Sequence, residues 1–74
     1  MNSRTGISMG TYLAARDFLR EKGKASTNQI QTHLRISYAY AADIMERLEY
    51  DGEVLPGTGN GPRLALKNKQ GEKI

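Results

Sequence analysis

The stretch STNQIQTHLRISYAYAADIMERL, residues 26–48, decides the fold because it contains two amphipathic helical patterns joined by a short turn. Ser26, with Gln29 three residues later, forms a capping-box pattern that predicts the start of a short helix. Ser37 is the next N-cap candidate, and the pattern after it predicts a longer helix over residues 38–51. A short helix, a turn and a longer helix in this order are typical of a helix-turn-helix.

The longer helix divides into two faces when its residues are placed at about 100° intervals around the axis. The predicted core face consists of Tyr38, Ala41, Ala42, Met45 and Leu48. The predicted outward pole consists of Tyr40, Asp43 and Arg47, with Ala39, Glu46 and Tyr50 on one flank and Ile44 on the other. The outward residues are therefore the candidates for contacting a partner.

The flanking sequence adds one helix before this stretch and one hairpin after it. Apolar residues at helical spacing predict a first helix over residues 10–22, and residues 24–25 fit a minimal strand. Gly52 is expected to close the third helix. Beyond it, two short apolar runs enclose the turn-rich PGTGNGP, which predicts a β-hairpin over residues 53–66. The predicted fold class is α+β, mainly α: a winged helix-turn-helix with three helices and a C-terminal hairpin as the wing.

The length of 74 residues allows one small domain with a single core. We expect residues 10–66 to form this domain. Residues 1–9 show little periodicity, and residues 67–74 are polar and basic, so both segments are expected to be flexible.

The composition excludes several functional classes. The chain has no cysteine, so disulfides and thiolate zinc sites are absent, and a reducing cytoplasm is the expected location. The apolar runs are too short for a membrane span, and the first residues do not form the apolar region of a signal peptide. His33 is the only histidine and is expected at the surface rather than on a metal. With little room for a pocket, we expect no enzyme, cofactor or small-molecule substrate.

The formal net charge of +3 suits a polyanionic partner, but the charge is unevenly distributed. Residues 1–37 contain six basic and two acidic side chains, a net of +4. Residues 38–53 contain one basic and five acidic side chains, a net of −4, and residues 54–74 contain four and one, a net of +3. The predicted recognition helix is therefore the acidic part of a basic chain, although such a run is most often a solvated helix face.

The segment KASTNQIQTHLRISYAYAADIMERLEYDGEVLPGTGNGPRLAL, residues 24–66, resembles the gamma domain of the FtsK-type DNA translocases. That domain is a winged helix that binds oriented sequence elements on bacterial DNA, and the similarity extends from about Phe18 to Leu66. The positions that carry it are Ser26, Gln31, Ile36, Ser37, Tyr38, Ala41, Ala42, Ile44, Met45, Glu46, Glu49 and Gly52, with Asn60, Gly61 and Arg63 in the wing.

The resemblance implies a DNA-binding fold, but the residues expected to face DNA differ. The family has a Tyr-Asn-Arg-Ala-Ala-Arg run after the turn, whereas this chain has Ala39, Tyr40 and Asp43 in place of its Asn and Arg residues. We expect this chain to share the family's fold but not its preference for particular DNA sequences. No G-x-x-x-x-G-K-[ST] motif is present, so the chain does not contain the translocase motor site.

The sequence is compatible with two functions. The first is binding of double-stranded DNA, with the third helix in the major groove and wing and basic residues on phosphates. Its candidate contacts are Thr27, Asn28, Gln31, Arg35, Ser37, Ala39, Tyr40, Asp43, Arg47, Asn60 and Arg63. The second is a protein-protein adaptor that uses the acidic, tyrosine-bearing face of the third helix, formed by Tyr40, Asp43, Glu46 and Tyr50.

Overall fold

The computed structural model describes residues 6–56 and 61–74 and confirms the winged helix-turn-helix. The elements in chain order are α1 (Met9–Lys22), β1 (Lys24–Ala25), α2 (Thr27–Leu34), α3 (Tyr38–Tyr50) and β2 (Arg63–Leu64). Within these described ranges, no helix combines the length and the apolar character needed to cross a membrane.

Local capping interactions fix the ends of α2 and α3. The Ser26 hydroxyl accepts from the Gln29 backbone N–H at 3.1 Å, and the Ser26 N–H donates to the Gln29 side chain at 2.9 Å, which confirms the predicted capping box. The Ser37 hydroxyl accepts from the Tyr40 backbone N–H at 3.1 Å. Arg35 ends α2 in the left-handed conformation, with φ of 57°, so the chain turns sharply between the two helices.

A Schellman motif closes α3 as the sequence predicts. Gly52 has φ of 77°, a conformation that favours glycine, and its N–H donates to the Glu49 carbonyl at 3.1 Å. The Glu53 N–H donates to the Leu48 carbonyl at 2.9 Å. The chain therefore reverses directly after the helix and enters the wing.

The wing strand β2 lies between β1 and the segment that follows α3. Lys24 is opposite Leu64 and Ala25 is opposite Arg63 in the antiparallel pairing of β1 with β2. On the other side, the Leu55 N–H donates to the Leu64 carbonyl at 3.0 Å, and Val54 forms a bridge with Ala65. These bonds confirm the predicted hairpin, whose tip at residues 57–60 lies outside the described residues.

The core lies where the three helices and the sheet meet. Its fully or almost fully buried apolar residues are Ala15, Leu19, Ala25, Ile30, Ala41, Ile44, Met45, Leu48, Val54 and Ala65. The predicted core face of α3 was partly wrong, because Tyr38 is 43% exposed and Ile44 is completely buried. The i, i+3, i+4, i+7 spacing from Ala41 to Leu48 forms the buried stripe, so the helix is rotated by roughly 70° from the prediction.

Backbone contacts extend into both ends of the described chain. The Ser8 hydroxyl accepts from the Thr11 N–H and caps α1, which begins one residue before the predicted domain boundary. In the C-terminal residues 67–74, whose flexibility stays a prediction, the chain folds back: Lys67 and Lys73 form a bridge, and the Ile74 N–H donates to the Leu66 carbonyl at 3.0 Å. The Asn68 side-chain oxygen accepts from the backbone N–H groups of Gln70 and Glu72 and so supports this turn.

Candidate nucleic-acid interface

The outward face of α3 is an acidic stripe. Because the buried stripe is centred on Ile44 and Leu48, the residues opposite to it at helical spacing are Ala39, Asp43, Glu46 and Tyr50. Tyr50 is 85% exposed, and Ala39 and Glu46 are also exposed, whereas Asp43 is half-buried. This set, here called the outward stripe, contains no basic side chain.

The α2 helix and its C-terminal cap, Arg35, carry four of the predicted contacts. Thr27 is buried at the start of the helix, so its side chain is not well placed to contact a partner. Asn28 is exposed, Gln31 is half-buried and Arg35 is exposed. Among the residues that the structure describes, Arg35 forms no ion pair. Arg35 is therefore the cation of the helix-turn-helix that is available for a phosphate without losing a carboxylate partner.

An open groove of about 610 Å³ connects the start of α2 to the base of the wing. Its lining residues are Phe18, Ser26, Asn28, Gln29, Thr32, His33 and Pro62. The His33 ring stacks on Phe18 with a centroid separation of 4.1 Å, which agrees with the predicted surface position of this histidine. The groove brings Asn28 to the same surface as the wing.

Two residues predicted to face a partner are instead used inside the domain. The Tyr40 hydroxyl accepts from the Ser8 backbone N–H at 2.9 Å, and the half-buried ring packs against the core. The placement of Tyr40 at the outward pole was therefore wrong, because the rotated helix turns this residue toward the start of α1. The Ser37 hydroxyl is occupied by the α3 cap, and Ala39 has no polar side-chain group.

The Arg47 guanidinium is held by the end of its own helix. Its Nε lies 3.2 Å from a carboxylate oxygen of Asp51, and the Tyr12 hydroxyl donates to the same oxygen. Burial, and then the hydrogen bond to the Asp51 carboxylate, raise the pKa of Tyr12 above its usual value, because both disfavour the phenolate. Arg47 thus pairs with the carboxylate at i+4 toward the C-terminus, rather than with Asp43 at i−4.

The Arg63 guanidinium is held by α3 as well. Its Nη1 lies 3.2 Å from Oε1 of Glu49, and the Arg63 side chain is 17% exposed while that of Glu49 is 38% exposed. Because Arg63 belongs to the wing strand, this ion pair links the wing to the last turn of α3. The other predicted wing contact, Asn60, lies outside the described residues.

A third carboxylate, Glu53, has a structural role that the sequence interpretation missed. Arg20 donates to its two oxygens at 2.9 and 2.7 Å, and the Lys67 ammonium lies 3.6 Å away. Burial disfavours the charged form of Glu53, but the Arg20 hydrogen bonds and the two nearby cations outweigh it and lower the pKa of this carboxyl. The pair joins α1 to the segment after α3.

The structure brings together only part of the predicted contact set. Asn28, Gln31 and Arg35 are on α2 and its turn, and the outward stripe of α3 follows directly in the chain. Arg47 and Arg63 lie on opposite sides of α3, each bound to an acidic residue of its C-terminal end. The i, i+4 spacing of Arg47 and Asp51 could have predicted their ion pair. No local pattern predicts the contact of Glu49 with Arg63 across the wing loop.

Comparisons with known proteins agree on one family. The family model described as the Ftsk gamma domain matches residues 10–68. The DNA translocase FtsK of Lactococcus lactis subsp. lactis (strain IL1403) is 38% identical over 72 residues, which are 97% of this chain and 9% of that protein. The DNA translocase FtsK of Rickettsia typhi is 42% identical over 55 residues, or 74% of this chain and 7% of that protein. The chain thus spans less than a tenth of the length of these relatives, and it belongs to the Ftsk gamma domain family.

Proposed function

We propose that this domain binds double-stranded DNA through the exposed side of its helix-turn-helix. The observation that carries the proposal is the match to the Ftsk gamma domain over residues 10–68, within relatives that are named DNA translocases. In a winged helix of this kind, the third helix enters the major groove and the preceding helix contacts the backbone. The exposed positions of Asn28, Arg35 and Ala39 are compatible with this docking.

Because the outward stripe is acidic, we expect phosphate contacts, rather than contacts to bases, to provide the affinity for DNA. A carboxylate on this stripe is repelled by the phosphates on both sides of the groove. Asp43 can offset this repulsion by accepting a hydrogen bond from a base amino group, for which cytosine is the usual partner of a carboxylate, whereas arginine to guanine is the commonest specific contact. The proposed interaction is therefore weakly sequence-dependent, and any preference that exists favours cytosine next to Asp43.

The number of cations that bind phosphates sets the expected dependence of the affinity on salt. Arg35, Arg47 and Arg63 are the basic residues in the predicted contact set. If all three bind phosphates, the logarithm of affinity falls with a slope of about −2.7, or about 40-fold between roughly 50 and 200 mM salt. If Arg35 alone binds, the loss is about 3.5-fold. Titration of a labelled random-sequence duplex at both salt concentrations measures this number, and no binding at the lower salt would refute the proposal.

The contribution of Arg35 can be isolated with one variant and one matched control. Arg35→Gln should weaken binding to all duplex sequences alike and make the slope shallower by about 0.9, because a phosphate contact positions the protein without specifying a base. Lys69→Gln removes the same charge beside Asp17 and Glu21, on the outer side of α1. The control variant should keep the affinity and the slope of the parent. Equal loss in the two variants would mean that net charge, not the Arg35 position, governs binding.

The outward stripe also favours a second candidate function, an adaptor that binds a basic protein surface. Asp43 and Glu46 supply negative charge on this stripe, and the 85% exposed Tyr50 supplies an aromatic anchor. Under this alternative the domain shows negligible duplex affinity at about 50 mM salt, and Asp43→Asn slows association with the protein partner. The duplex titration therefore separates the two candidates.

The proposal is for a binding module without catalytic activity, acting in the cytoplasm. The translocase activity in the name of the longer relatives is not assigned to these 74 residues. A duplex-stimulated nucleotide hydrolysis by the isolated domain would contradict this part of the proposal.

A further inference from the structure

We propose that Glu49 competes with DNA phosphates for Arg63, so that this carboxylate limits the affinity of the domain for duplex DNA. The inference rests on the proposed DNA-binding function. It states that one acidic residue of α3, Glu49, opposes DNA binding. In the free domain the Arg63 guanidinium is bound by Glu49 at 3.2 Å. On DNA, the guanidinium exchanges this carboxylate for a phosphate oxygen.

The position of Arg63 makes Glu49 its natural partner in the free domain. Residues directly opposite each other in an antiparallel pair project to the same face of the sheet. Arg63 is opposite the completely buried Ala25, so its side chain leaves the sheet on the side that faces the core. There the guanidinium reaches the last turn of α3 rather than projecting directly into solvent. Because the Arg63 side chain is only 17% exposed in this position, it must swing outward, away from Glu49, to reach a phosphate.

The exposure of Glu49 makes this exchange accessible. The Glu49 side chain is more than a third exposed, and a single 3.2 Å contact joins it to the less exposed Arg63. An ion pair with an exposed carboxylate contributes little to stability, because water screens that carboxylate and two long side chains must be ordered. The Arg20–Glu53 pair is the contrast: both side chains are almost buried and two hydrogen bonds join them. Arg63 can change partner at low cost, whereas Arg20 cannot.

Breaking the Glu49–Arg63 ion pair costs free energy because of the surroundings of Glu49, and this cost lowers the affinity for duplex DNA. Glu49 lies in the last turn of α3, where the negative end of the helix dipole disfavours a carboxylate. Asp51 is nearby in the chain and already holds Arg47 and Tyr12. When Arg63 moves to a phosphate, Glu49 keeps its charge at the negative end of the helix, near Asp51 and close to the DNA. The parent binds duplex DNA less tightly because it must leave Glu49 charged and without Arg63. Removing the Glu49 charge should therefore raise the affinity for duplex DNA.

A double-mutant cycle on duplex affinity tests the exchange. Parent, Glu49→Gln, Arg63→Ala and the double variant are titrated with the same random-sequence duplex at about 50 mM salt, after thermal melting has established that each is folded. Glu49→Gln should bind up to about fivefold more tightly than the parent, the range expected for releasing a surface ion pair. The gain should vanish when Arg63 is already replaced by Ala.

Asp43→Asn is the matched control, because it removes one carboxylate from the outward stripe of the same helix. Asp43→Asn should change the affinity for duplex DNA by the same factor in the parent and in the Arg63→Ala variant. An equal gain for Glu49→Gln in both backgrounds would show general electrostatic repulsion and overturn the exchange. A loss of affinity in Glu49→Gln would show that the pair positions the wing, and an unchanged affinity would remove Glu49 from the process; either result overturns the proposal. If the parent itself does not bind duplex, the proposed function fails first.

Discussion

Replacement of Glu53 by glutamine should destabilise the domain strongly at neutral pH. The Glu53 side chain is 7% exposed and its partner Arg20 is 11% exposed, so Glu53→Gln leaves a nearly buried guanidinium without its carboxylate. Removing one member of a buried pair costs roughly 3–5 kcal/mol, and the lower value applies here because Arg20 retains some solvent contact and a neutral acceptor. The total stability of a 74-residue domain is roughly 4–11 kcal/mol. The variant should lose a quarter or more of it.

The same contact predicts how stability depends on pH. The pKa of Glu53 is lowered in the folded protein, so the unfolded chain takes up the proton first as the pH falls. The stabilisation by the ionised carboxylate is therefore complete above the unfolded pKa of about 4.3 and is lost as the pH falls through the lower, folded pKa. The difference in free energy of unfolding between parent and variant should be largest near neutral pH and should shrink in acid.

Urea unfolding monitored by circular dichroism at several pH values measures both effects. The matched control is Glu21→Gln, an exposed residue next to Arg20 in α1 that has no ion pair within the described part of the chain. The control should change the free energy of unfolding by no more than about 0.5 kcal/mol. Equal stability of parent and Glu53→Gln at pH 7, or a difference that stays constant into acid, would refute the assignment of Glu53 as a structural counter-ion.

Three further variants test the core, the outward stripe and the α1–α3 contact. Leu48→Ala removes a completely buried side chain and should cost roughly 2–5 kcal/mol; an unchanged melting temperature would contradict the assigned core face. Asp43→Asn should raise the affinity for random-sequence duplex at about 50 mM salt, and an unchanged affinity would show that this residue does not face the groove. Tyr12→Phe removes the hydroxyl bound by Asp51 and should cost about 1 kcal/mol in urea unfolding; a cost of zero would mean that this hydrogen bond contributes no net stability.

The element order and the helix boundaries could be predicted because local chemistry determines them. The capping box at Ser26, the N-cap at Ser37 and the glycine at 52 each act within a few residues, so the sequence alone locates the start of α2 and both ends of α3. The hairpin was predictable for the same reason, since its turn residues lie between two short apolar runs.

The orientation of α3 and the pairing of its charges depend on distant contacts and could not be predicted in this way. Hydrophobicity alone placed Tyr38 in the core, whereas the packing of α3 in the folded domain buries Ile44 completely. The spacing of residues around the α3 axis also did not predict that Tyr40 binds the Ser8 backbone, 32 residues earlier in the chain. Glu53 belonged to an acidic run that usually indicates a solvated face, yet it is buried against Arg20, 33 residues away.

The central claim is that the domain binds duplex DNA through the exposed side of its helix-turn-helix. An amide chemical-shift titration of the isotope-labelled domain with a short random-sequence duplex at about 50 mM salt tests it most directly. The largest changes should occur at Asn28 and in residues 35–39, with smaller changes at Arg63. An absence of changes, or changes confined to the outer side of α1 and residues 67–74, would contradict the claim.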